Sequence, residues 1–289
     1  MNTAAVPSTT LPIPASPISW TDVTVRAAGQ APMTARVFGR RNTKAATPLV
    51  LHFHSGAFTS GSLDSAEPVA RLLAEAGAIV VSLDYPLAPE HPFPHAVEAG
   101  YAALVWLQKQ RAKFAGGDAP IVLAGEEAGG NIAAAVALMA RDRQRPKVAA
   151  QILFAPMLDA CVGTASLRKA AVGHVDCKWA HGWHDYLADT PDPQHPYAVP
   201  GRAMRLAGLP STLMFTAEDD PMRDEALAYA ARLRAADVLA LEFVLPGATG
   251  WPRTHGAPID PALPWPRIAL ERCRQFLSSV QATHLAAQF

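Results

Sequence analysis

The chain has 289 residues, half of them hydrophobic, and its formal net charge is zero. That length suits one large α/β domain and is too short for two ordinary domains joined by a linker. The balanced charge provides no electrostatic surface for nucleic acid or for an anionic membrane, so a small neutral partner is expected.

The N-terminal segment 1–18 is rich in Pro, Ser and Thr. It has neither the basic start and apolar run of a secretory signal nor the length of apolar sequence that a membrane span needs. We expect a flexible arm there.

Three cysteines, Cys161, Cys177 and Cys273, have no C-x-x-C spacing. This speaks against a disulfide framework and a zinc site, and it fits a reducing cytoplasm.

Short apolar runs rich in β-branched residues alternate with helical stretches, which predicts a mostly parallel sheet covered on both faces. We predict edge-like strands at 20–26 and 33–38, a buried strand at 48–53, a helix at 64–76, a strand at 78–84 and a helix at 94–113. A strand at 120–124, an Ala-rich helix at 129–143 and a strand at 149–154 follow. The last elements are strands at 212–216 and 241–245, each followed by a helix, at 224–236 and from 265 towards 280.

Residues 161–200 interrupt this alternation with aromatic and histidine clusters and a Pro-rich run. Open α/β sheets bind their ligands at the carboxyl ends of the strands, so an insertion over that edge is interpreted as a lid. A surface excursion anchored by a few aromatic residues is the alternative. Trp179, Trp183 and Tyr186 either line an apolar pocket or only pack the lid.

Four segments carry a resemblance to a known family. They read His-Ser-Gly-Ala-Phe at 54–58, Asp-Tyr-Pro-Leu-Ala-Pro-Glu at 84–90, Gly-Glu-Glu-Ala-Gly-Gly-Asn at 125–131 and Asp-Asp-Pro-Met-Arg-Asp-Glu at 219–225. In that order they resemble the His-Gly-Gly-Gly, Asp-Tyr-Arg-Leu-Ala-Pro-Glu, Gly-Asp-Ser-Ala-Gly-Gly-Asn and Asp-Pro-Leu-Arg-Asp-Glu motifs of bacterial hormone-sensitive-lipase-like (family IV) esterases. The resemblance implies one α/β-hydrolase domain over 19–289, with a mostly parallel central sheet flanked by helices and a lid insertion at about 161–200.

The Gly-x-x-x-Gly turn at 125–129 lies between a buried strand and a helix, which is the pattern of a nucleophile elbow. By the resemblance, Glu127 stands where active relatives carry the catalytic serine, and this replacement argues against serine esterase chemistry. The backbone N–H groups of Gly56, Ala57 and Ala128 are the implied donors of the oxyanion hole.

Glu127 should project from a helix N-terminus among unpaired N–H donors that favour its charged form. We therefore expect its carboxylate to fold back into the oxyanion hole and to compete with a substrate carbonyl. A carboxylate nucleophile is the alternative, because related dehalogenases and epoxide hydrolases use aspartate at the elbow.

Glu126 is interpreted as an acid at the helix N-terminus. The predicted pocket residues are Phe58, Glu126, Trp179, Trp183, Tyr186 and Trp251.

Asp220 follows a strand and resembles the acid of a catalytic triad, placed to orient a histidine. That histidine has two interpretations. Without a gap, the segment after residue 245 has lost it, and Thr249 or Gly250 stands near its place; with a short insertion, His255 supplies it. The other histidines have no metal-ligand spacing, so we predict no metal site and no cofactor.

Three functions remain open once the serine is replaced. The first is a non-hydrolytic pseudoenzyme that binds a small apolar carbonyl or ester-like compound, since plant gibberellin receptors show that this family can include ligand sensors. The second is an enzyme with altered chemistry, a lyase, dehydratase or cyclase that uses Glu127 and the oxyanion hole. The third is weak ester hydrolysis by water. The resemblance also allows a homodimer through the last strand and helix, because the segment 241–245 is apolar enough to permit it.

Overall fold

The computed structural model describes residues 18–41, 47–171, 177–247, 249–250, 260 and 262–287. The arm expected at 1–18 lies outside these residues except for Ile18. The carbonyl oxygen of Ile18 accepts a hydrogen bond from Nη1 of Arg71 at 2.7 Å, so the chain is anchored to the domain at Ile18. The arm itself stays a prediction.

Eight strands of the described chain form a single sheet. In chain order they are β1 (Trp20–Val25), β2 (Met33–Phe38), β3 (Leu49–Phe53), β4 (Ile79–Leu83), β5 (Ile121–Glu126), β6 (Ala150–Phe154), β7 (Ser211–Ala217) and β8 (Ala240–Leu245). Their spatial order is β1-β2-β4-β3-β5-β6-β7-β8. Every pairing from β4 through β3 to β8 is parallel, which confirms the predicted mostly parallel sheet.

The first two strands join the sheet in antiparallel orientation. β1 is an edge strand, as predicted. β2 is not an edge strand, because it pairs with β1 on one side and with β4 on the other. The prediction for β2 was wrong because alternating polarity reports the difference between the two faces of a strand, not whether both of its edges are paired.

The helices of the described chain cover both faces of the sheet. They are α1 (Leu63–Glu75), α2 (His95–Phe114), α3 (Ala128–Asp142), α4 (Ala165–Ala171), α5 (Lys178–Leu187), α6 (Arg223–Ala235) and α7 (Trp265–Ala286). Residues of α2, α3 and α6 share one apolar core with the sheet, and residues of α1 and α7 share the other. The sheet therefore lies between two helical layers.

The central strands are buried on both faces. Every residue of β3, β4, β5 and β6 is buried. In β3, Leu51 and Phe53 belong to the core of α2, α3 and α6, whereas Val50 belongs to the core of α1 and α7. Such two-sided burial explains why these strands are predominantly apolar runs in the sequence.

The inserted segment contains α4 and α5 and leads to a short 3-10 helix, Pro200–Arg202. Buried residues of α5 share one apolar cluster with Ala57 and Phe58, which follow β3, and with Ala128, which follows β5. The segment therefore lies over the carboxyl ends of these two strands. That location agrees with the one expected for a lid, and the role of a lid stays a prediction.

Candidate functional site

A sharp turn joins β5 to α3 at Glu127. This residue has a φ of 53° and a ψ of −115°, a positive-φ conformation that non-glycine residues rarely adopt. The backbones around the turn approach closely, because a Cβ at Gly129 would lie only 2.1 Å from the carbonyl oxygen of Phe53. Helix α3 is thus fixed against the end of β3, and the side chain of Glu127 reaches the loop that follows β3.

The carboxylate of Glu127 accepts hydrogen bonds from two backbone N–H groups of the loop 54–62. Its Oε2 lies 2.7 Å from the nitrogen of Gly56 and 3.0 Å from the nitrogen of Ala57. Both groups converge on one oxygen, which is the geometry that stabilises an oxyanion. In this structure the protein's own carboxylate holds these two donors. Ala128, the third donor expected from the sequence, is the buried first residue of α3.

The 54–62 loop has a strained backbone at these donors. Gly56, Ala57 and Phe58 have φ values of 133°, 49° and 68°. A Cβ at Gly56 would lie 1.9 Å from the carbonyl oxygen of Ser60, so that position requires glycine. Ala57 adopts a positive φ despite its methyl group, which costs on the order of 1–3 kcal/mol unless the surroundings over-determine it. The hydrogen bonds to Glu127 contribute to that restraint.

The second carboxylate oxygen of Glu127 is held by α5. Its Oε1 accepts a hydrogen bond from Nε1 of Trp179 at 2.6 Å. The same oxygen lies 3.0 Å from Nζ of Lys178, whose side chain is 48% exposed while that of Glu127 is 1% exposed. A buried carboxylate needs such compensation, because an unpaired buried charge is strongly destabilising. One side chain thereby connects the elbow turn, the 54–62 loop and α5.

Aromatic side chains fill the space beneath α5. The ring of Phe58 stacks on Tyr186 with centroids 4.0 Å apart, and its centroid lies 4.9 Å from that of Trp183. Trp183 and Tyr186 are 3% and 1% exposed. These residues were expected either to line a pocket or to pack the lid, and in this structure they pack against one another.

Glu126, the last residue of β5, is paired with a buried histidine. Its Oε2 lies 2.6 Å from Nε2 of His52 on β3, and Nδ1 of His52 lies 3.0 Å from Oγ of Ser82 on β4. The interpretation of Glu126 as an acid at a helix N-terminus was wrong, because its carboxylate contacts the neighbouring strand β3 instead. Its Oε1 also accepts a hydrogen bond from the backbone nitrogen of Ser55 at 3.4 Å. Glu126 therefore helps to position the loop that carries Gly56.

His54 has a structural role at the start of the loop. Its Nδ1–H donates to the carbonyl oxygen of Ser55 at 2.7 Å. Its ring stacks on Tyr85 at 4.3 Å, and the Tyr85 hydroxyl donates to the His54 carbonyl oxygen at 2.7 Å. Burial lowers the pKa of His54, so the ring is neutral at pH 7. These contacts fix the backbone directly before the N–H donors.

Asp220 lies in the connection between β7 and α6. Its carboxylate accepts hydrogen bonds from Oγ1 of Thr216 at 2.5 Å and from the nitrogen of Met222 at 2.8 Å. Burial raises the pKa of Asp220 to about 6, against the opposing effect of these hydrogen bonds. The negative charge of Glu127 acts in the same direction as burial, so the two carboxylates are close enough to repel. Asp220 also lines a cavity of about 410 Å³, together with Lys169 and Arg223.

The loop after β8 is bound to the neighbouring acid, Asp219. Oγ1 of Thr249 donates to its Oδ1 at 2.8 Å, and the nitrogen of Gly250 donates to its Oδ2 at 2.9 Å. The ungapped interpretation of the sequence puts Thr249 or Gly250 near the place of the triad histidine. His255 and Trp251 lie outside the described residues. Their catalytic and pocket roles therefore stay predictions.

The sequence family that matches the chain is described as the alpha/beta hydrolase fold, and the match covers residues 50–249. The chain belongs to the α/β-hydrolase family. The matched range extends from β3 to the loop after β8 and includes all four motif segments. The fold class expected from the sequence is thereby confirmed.

Similar α/β-hydrolases include both an esterase and a receptor. Carboxylesterase NlhH of Mycobacterium tuberculosis is 39% identical over 200 residues, which cover 66% of this chain and 62% of NlhH. Gibberellin receptor GID1 of Oryza sativa subsp. japonica is 36% identical over 200 residues, which cover 65% of this chain and 56% of the receptor. The chain thus spans less than two thirds of the length of these relatives. Their similarity supports the resemblance to hormone-sensitive-lipase-like esterases.

A solved α/β-hydrolase structure is similar over nearly the whole chain. It is that of a thermostable esterase from Pseudomonas putida ECU1011, with a TM-score of 0.79 and 30% sequence identity. The superposition covers 94% of this chain and 85% of the esterase. The common architecture therefore extends beyond the range that the sequence family matches.

The described part of this α/β-hydrolase contains neither a helix that could span a membrane nor a side-chain cluster that could hold a metal ion. None of its described helices is both long and apolar enough to cross a bilayer. Within the same described ranges, His, Cys, Asp and Glu side chains form no group of three or more that could hold a metal ion.

Sequence reasoning missed His52 and Lys178, which contact the two glutamates, and Ser82, which contacts His52. His52 and Ser82 lie inside strand runs that are otherwise apolar, and a polar residue at a buried position needs a hydrogen-bond partner. That rule could have predicted a buried hydrogen-bond network at these strands. It could not have identified Glu126 as the partner of His52. Lys178 belongs to no motif, and its contact with Glu127 joins segments that are far apart in the sequence.

Proposed function

We propose that this α/β-hydrolase is a non-hydrolytic pseudoenzyme of the hormone-sensitive-lipase-like group, with Glu127 at the nucleophile position. The observation that carries this proposal is the pair of hydrogen bonds from Gly56 and Ala57 to the Glu127 carboxylate. A serine esterase needs a hydroxyl that attacks the carbonyl and free donors that stabilise the resulting oxyanion. Glu127 provides no hydroxyl, and its carboxylate competes for the donors.

The same contacts weigh against Glu127 as a nucleophile or general base. Its Oε2 accepts two backbone hydrogen bonds, and its Oε1 is held by Trp179 and Lys178. Four contacts therefore occupy both carboxylate oxygens, and these are the atoms that would have to accept a proton or attack carbon. A lyase, dehydratase or cyclase mechanism would first have to break these contacts. Ester hydrolysis by water would require the two N–H donors to be vacated.

The ligand that fits this proposal is a small apolar carbonyl or ester-like compound. The apolar cluster next to Glu127 includes Ala57, Phe58, Trp183 and Tyr186. Burying apolar ligand surface against such side chains contributes roughly 25 cal/mol per Å². Lys178 lies 3.0 Å from Glu127 and offsets its charge next to this cluster, which favours a neutral compound. The similarity to a gibberellin receptor supports a binding role for the family's scaffold.

A homodimer through β8 is part of the proposal. β8 is the edge strand at the far end of the sheet from β1, and its Leu241 and Val244 are 41% and 44% exposed. An edge strand presents backbone groups that can pair with a second copy of the chain. Light scattering after size exclusion should give twice the chain mass of 30.7 kDa, and Leu241→Lys should shift it towards the monomer. A monomeric unmodified protein at micromolar concentration would contradict this part.

Ester turnover tests the proposed function. Short-chain p-nitrophenyl esters should be offered to the unmodified protein, to Glu127→Ser and to the isosteric control Glu127→Gln. Loss of the nucleophile costs about a million-fold in turnover, so the unmodified protein and the Gln variant should stay at the buffer rate. Glu127→Ser restores a hydroxyl and vacates the donors, and turnover in that variant alone would support the proposal. Turnover by the unmodified protein at about 10 per second, an ordinary enzyme rate, would overturn it.

A further inference from the structure

We propose that Glu127, Lys178 and Trp179 form a latch that keeps α5 closed over the apolar cluster, so that a ligand reaches the cluster only after the latch opens. The latch concerns access to the site and goes beyond the proposed function. It does not depend on whether esters are hydrolysed.

The latch is built on one carboxylate, whose two oxygens contact two separate parts of the chain, the 54–62 loop and α5. Oε2 of Glu127 binds the 54–62 loop, while Oε1 accepts from Nε1 of Trp179 at 2.6 Å and lies 3.0 Å from Nζ of Lys178. Hydrogen bonds to an ionised acceptor are roughly twice as strong as neutral ones. Breaking the Oε1 contacts would therefore remove the polar restraint on the first turn of α5, while the Oε2 hydrogen bonds to the loop remain.

Helix α5 depends on tertiary contacts for its position. It has only 10 residues, and its N-cap residue, Cys177, makes no side-chain cap hydrogen bond. Helices of this length are marginal in water by themselves. On its inner side, Trp183 and Tyr186 pack on Phe58, and Gly182 lies directly against the carbonyl oxygen of Ala57. The polar latch and this apolar contact together hold the helix closed.

The closed arrangement also contains an unfavourable group. The hydroxyl of Tyr186 is buried and has no hydrogen-bond partner among the residues that the structure describes. A buried polar group without a partner disfavours the state that contains it. Opening of α5 would let this hydroxyl bind water or the carbonyl of a ligand. The unpaired hydroxyl therefore favours the open state, whereas the latch and the apolar contacts favour the closed state. A ligand that binds only the open state would shift the population towards it.

Hydrogen exchange followed by mass spectrometry tests the latch through peptides that cover α5. Trp179→Phe keeps an aromatic ring and removes the N–H donor to a charged group, so exchange in α5 should become about tenfold faster. Lys178→Met removes a half-exposed cation, and exchange should become about threefold faster. The matched control is Lys169→Met, which removes an exposed lysine of α4 and should leave α5 unchanged. Peptides of α2 should exchange as before in all three variants, which shows that the domain is folded.

Chemical rescue then tests the carboxylate itself. In Glu127→Ala, exchange in α5 should be faster than in the unmodified protein, and added acetate should slow it while the neutral isostere acetamide should not. Equal effects of the two compounds, or none, would overturn the latch. Unchanged α5 exchange in Trp179→Phe and Lys178→Met would also overturn it, and those variants decide the question if Glu127→Ala does not fold. Ester turnover by the unmodified protein would refute the proposed function and leave these exchange results standing.

Discussion

Nε2 of His52 lies 2.6 Å from Oε2 of Glu126, and neither side chain is more than 1% exposed. The pair joins β3 to β5 directly beneath the turn at Glu127, and Glu126 also accepts a hydrogen bond from Ser55. Glu126 thus helps to position the loop through Ser55, and Glu127 accepts the hydrogen bonds of its next two N–H groups. Buried polar pairs of this kind are valuable only while both partners are present.

Removing one partner of the His52–Glu126 pair should therefore be worse than removing both. His52→Phe leaves the Glu126 carboxylate buried without its partner, and the free energy of unfolding should fall by about 3–5 kcal/mol. Glu126→Gln keeps a hydrogen-bonding group and should lose about 1 kcal/mol. The double variant His52→Phe with Glu126→Leu should lose less than His52→Phe alone. Urea unfolding measures these values, and a loss below 1 kcal/mol for His52→Phe would contradict this view of the pair.

Gly182 should not tolerate a methyl group. A Cβ there would lie 2.0 Å from the carbonyl oxygen of Ala57, so α5 or the loop must shift. Gly182→Ala should lower the free energy of unfolding by about 1–3 kcal/mol through overpacking, although alanine is about 1 kcal/mol better than glycine within a helix. The control is Gly117→Ala, because a Cβ at Gly117 would meet nothing within 4 Å. Equal stability of the two variants in thermal unfolding would contradict the tight contact between α5 and the loop.

Asp220 should make the folded state less stable as the pH rises from about 4 to about 6. Burial raises the pKa of its carboxyl group from 3.8 to about 6 on folding, so the folded protein holds this proton more tightly than the unfolded chain. The resulting stability is complete below the unfolded value and is lost as the pH rises through the folded value. The difference between the two values corresponds to about 3 kcal/mol.

Asp220→Asn removes this titration while keeping a side chain of the same shape. Relative to the unmodified protein, the variant should gain up to about 3 kcal/mol of stability between pH 4 and pH 7, measured by urea unfolding across that range. Asp118→Asn, which replaces an exposed aspartate, serves as the control. A stability difference between Asp220→Asn and the unmodified protein that is the same at every pH would show that the carboxyl group is not shifted.

Two tyrosines should respond oppositely to loss of the hydroxyl. The Tyr85 hydroxyl donates to the carbonyl oxygen of His54 at 2.7 Å, so Tyr85→Phe should lower the free energy of unfolding by about 1 kcal/mol. The Tyr186 hydroxyl is buried with no partner in the described part of the chain, so Tyr186→Phe should be neutral or stabilising by up to about 1 kcal/mol. Thermal unfolding of both variants compares them directly. A clear loss in Tyr186→Phe would mean that its hydroxyl has a partner in solution.

The sequence predicted the strands and most helices because their patterns are local. β2 was predicted at its observed bounds, Met33–Phe38, and the helix expected at 129–143 is Ala128–Asp142. Strands buried on both faces are continuous apolar runs, which makes them easy to recognise. The helices α4 and α5 were not predicted, because short segments with mixed aromatic and polar residues are held by tertiary contacts instead of by their own periodicity.

The candidate site was predictable only where a motif carries it. Glu127 and the donors Gly56 and Ala57 follow from segment resemblance, since backbone donors belong to the turn and not to particular side chains. The contacts with His52 and Lys178 were not predictable, because each joins residues that are close only in the folded chain. To predict these two contacts, one would need to know the register of the sheet and the position of α5.

Covalent labelling with a fluorophosphonate, read by intact-protein mass spectrometry, tests most directly whether a carboxylate stands at the reactive turn in place of an attacking hydroxyl. A known serine esterase, labelled to completion under the same conditions, is the positive control. The unmodified protein should show no increase in mass after the same incubation. A stoichiometric adduct on any residue around Glu127 would contradict the assignment and show that a working nucleophile is present.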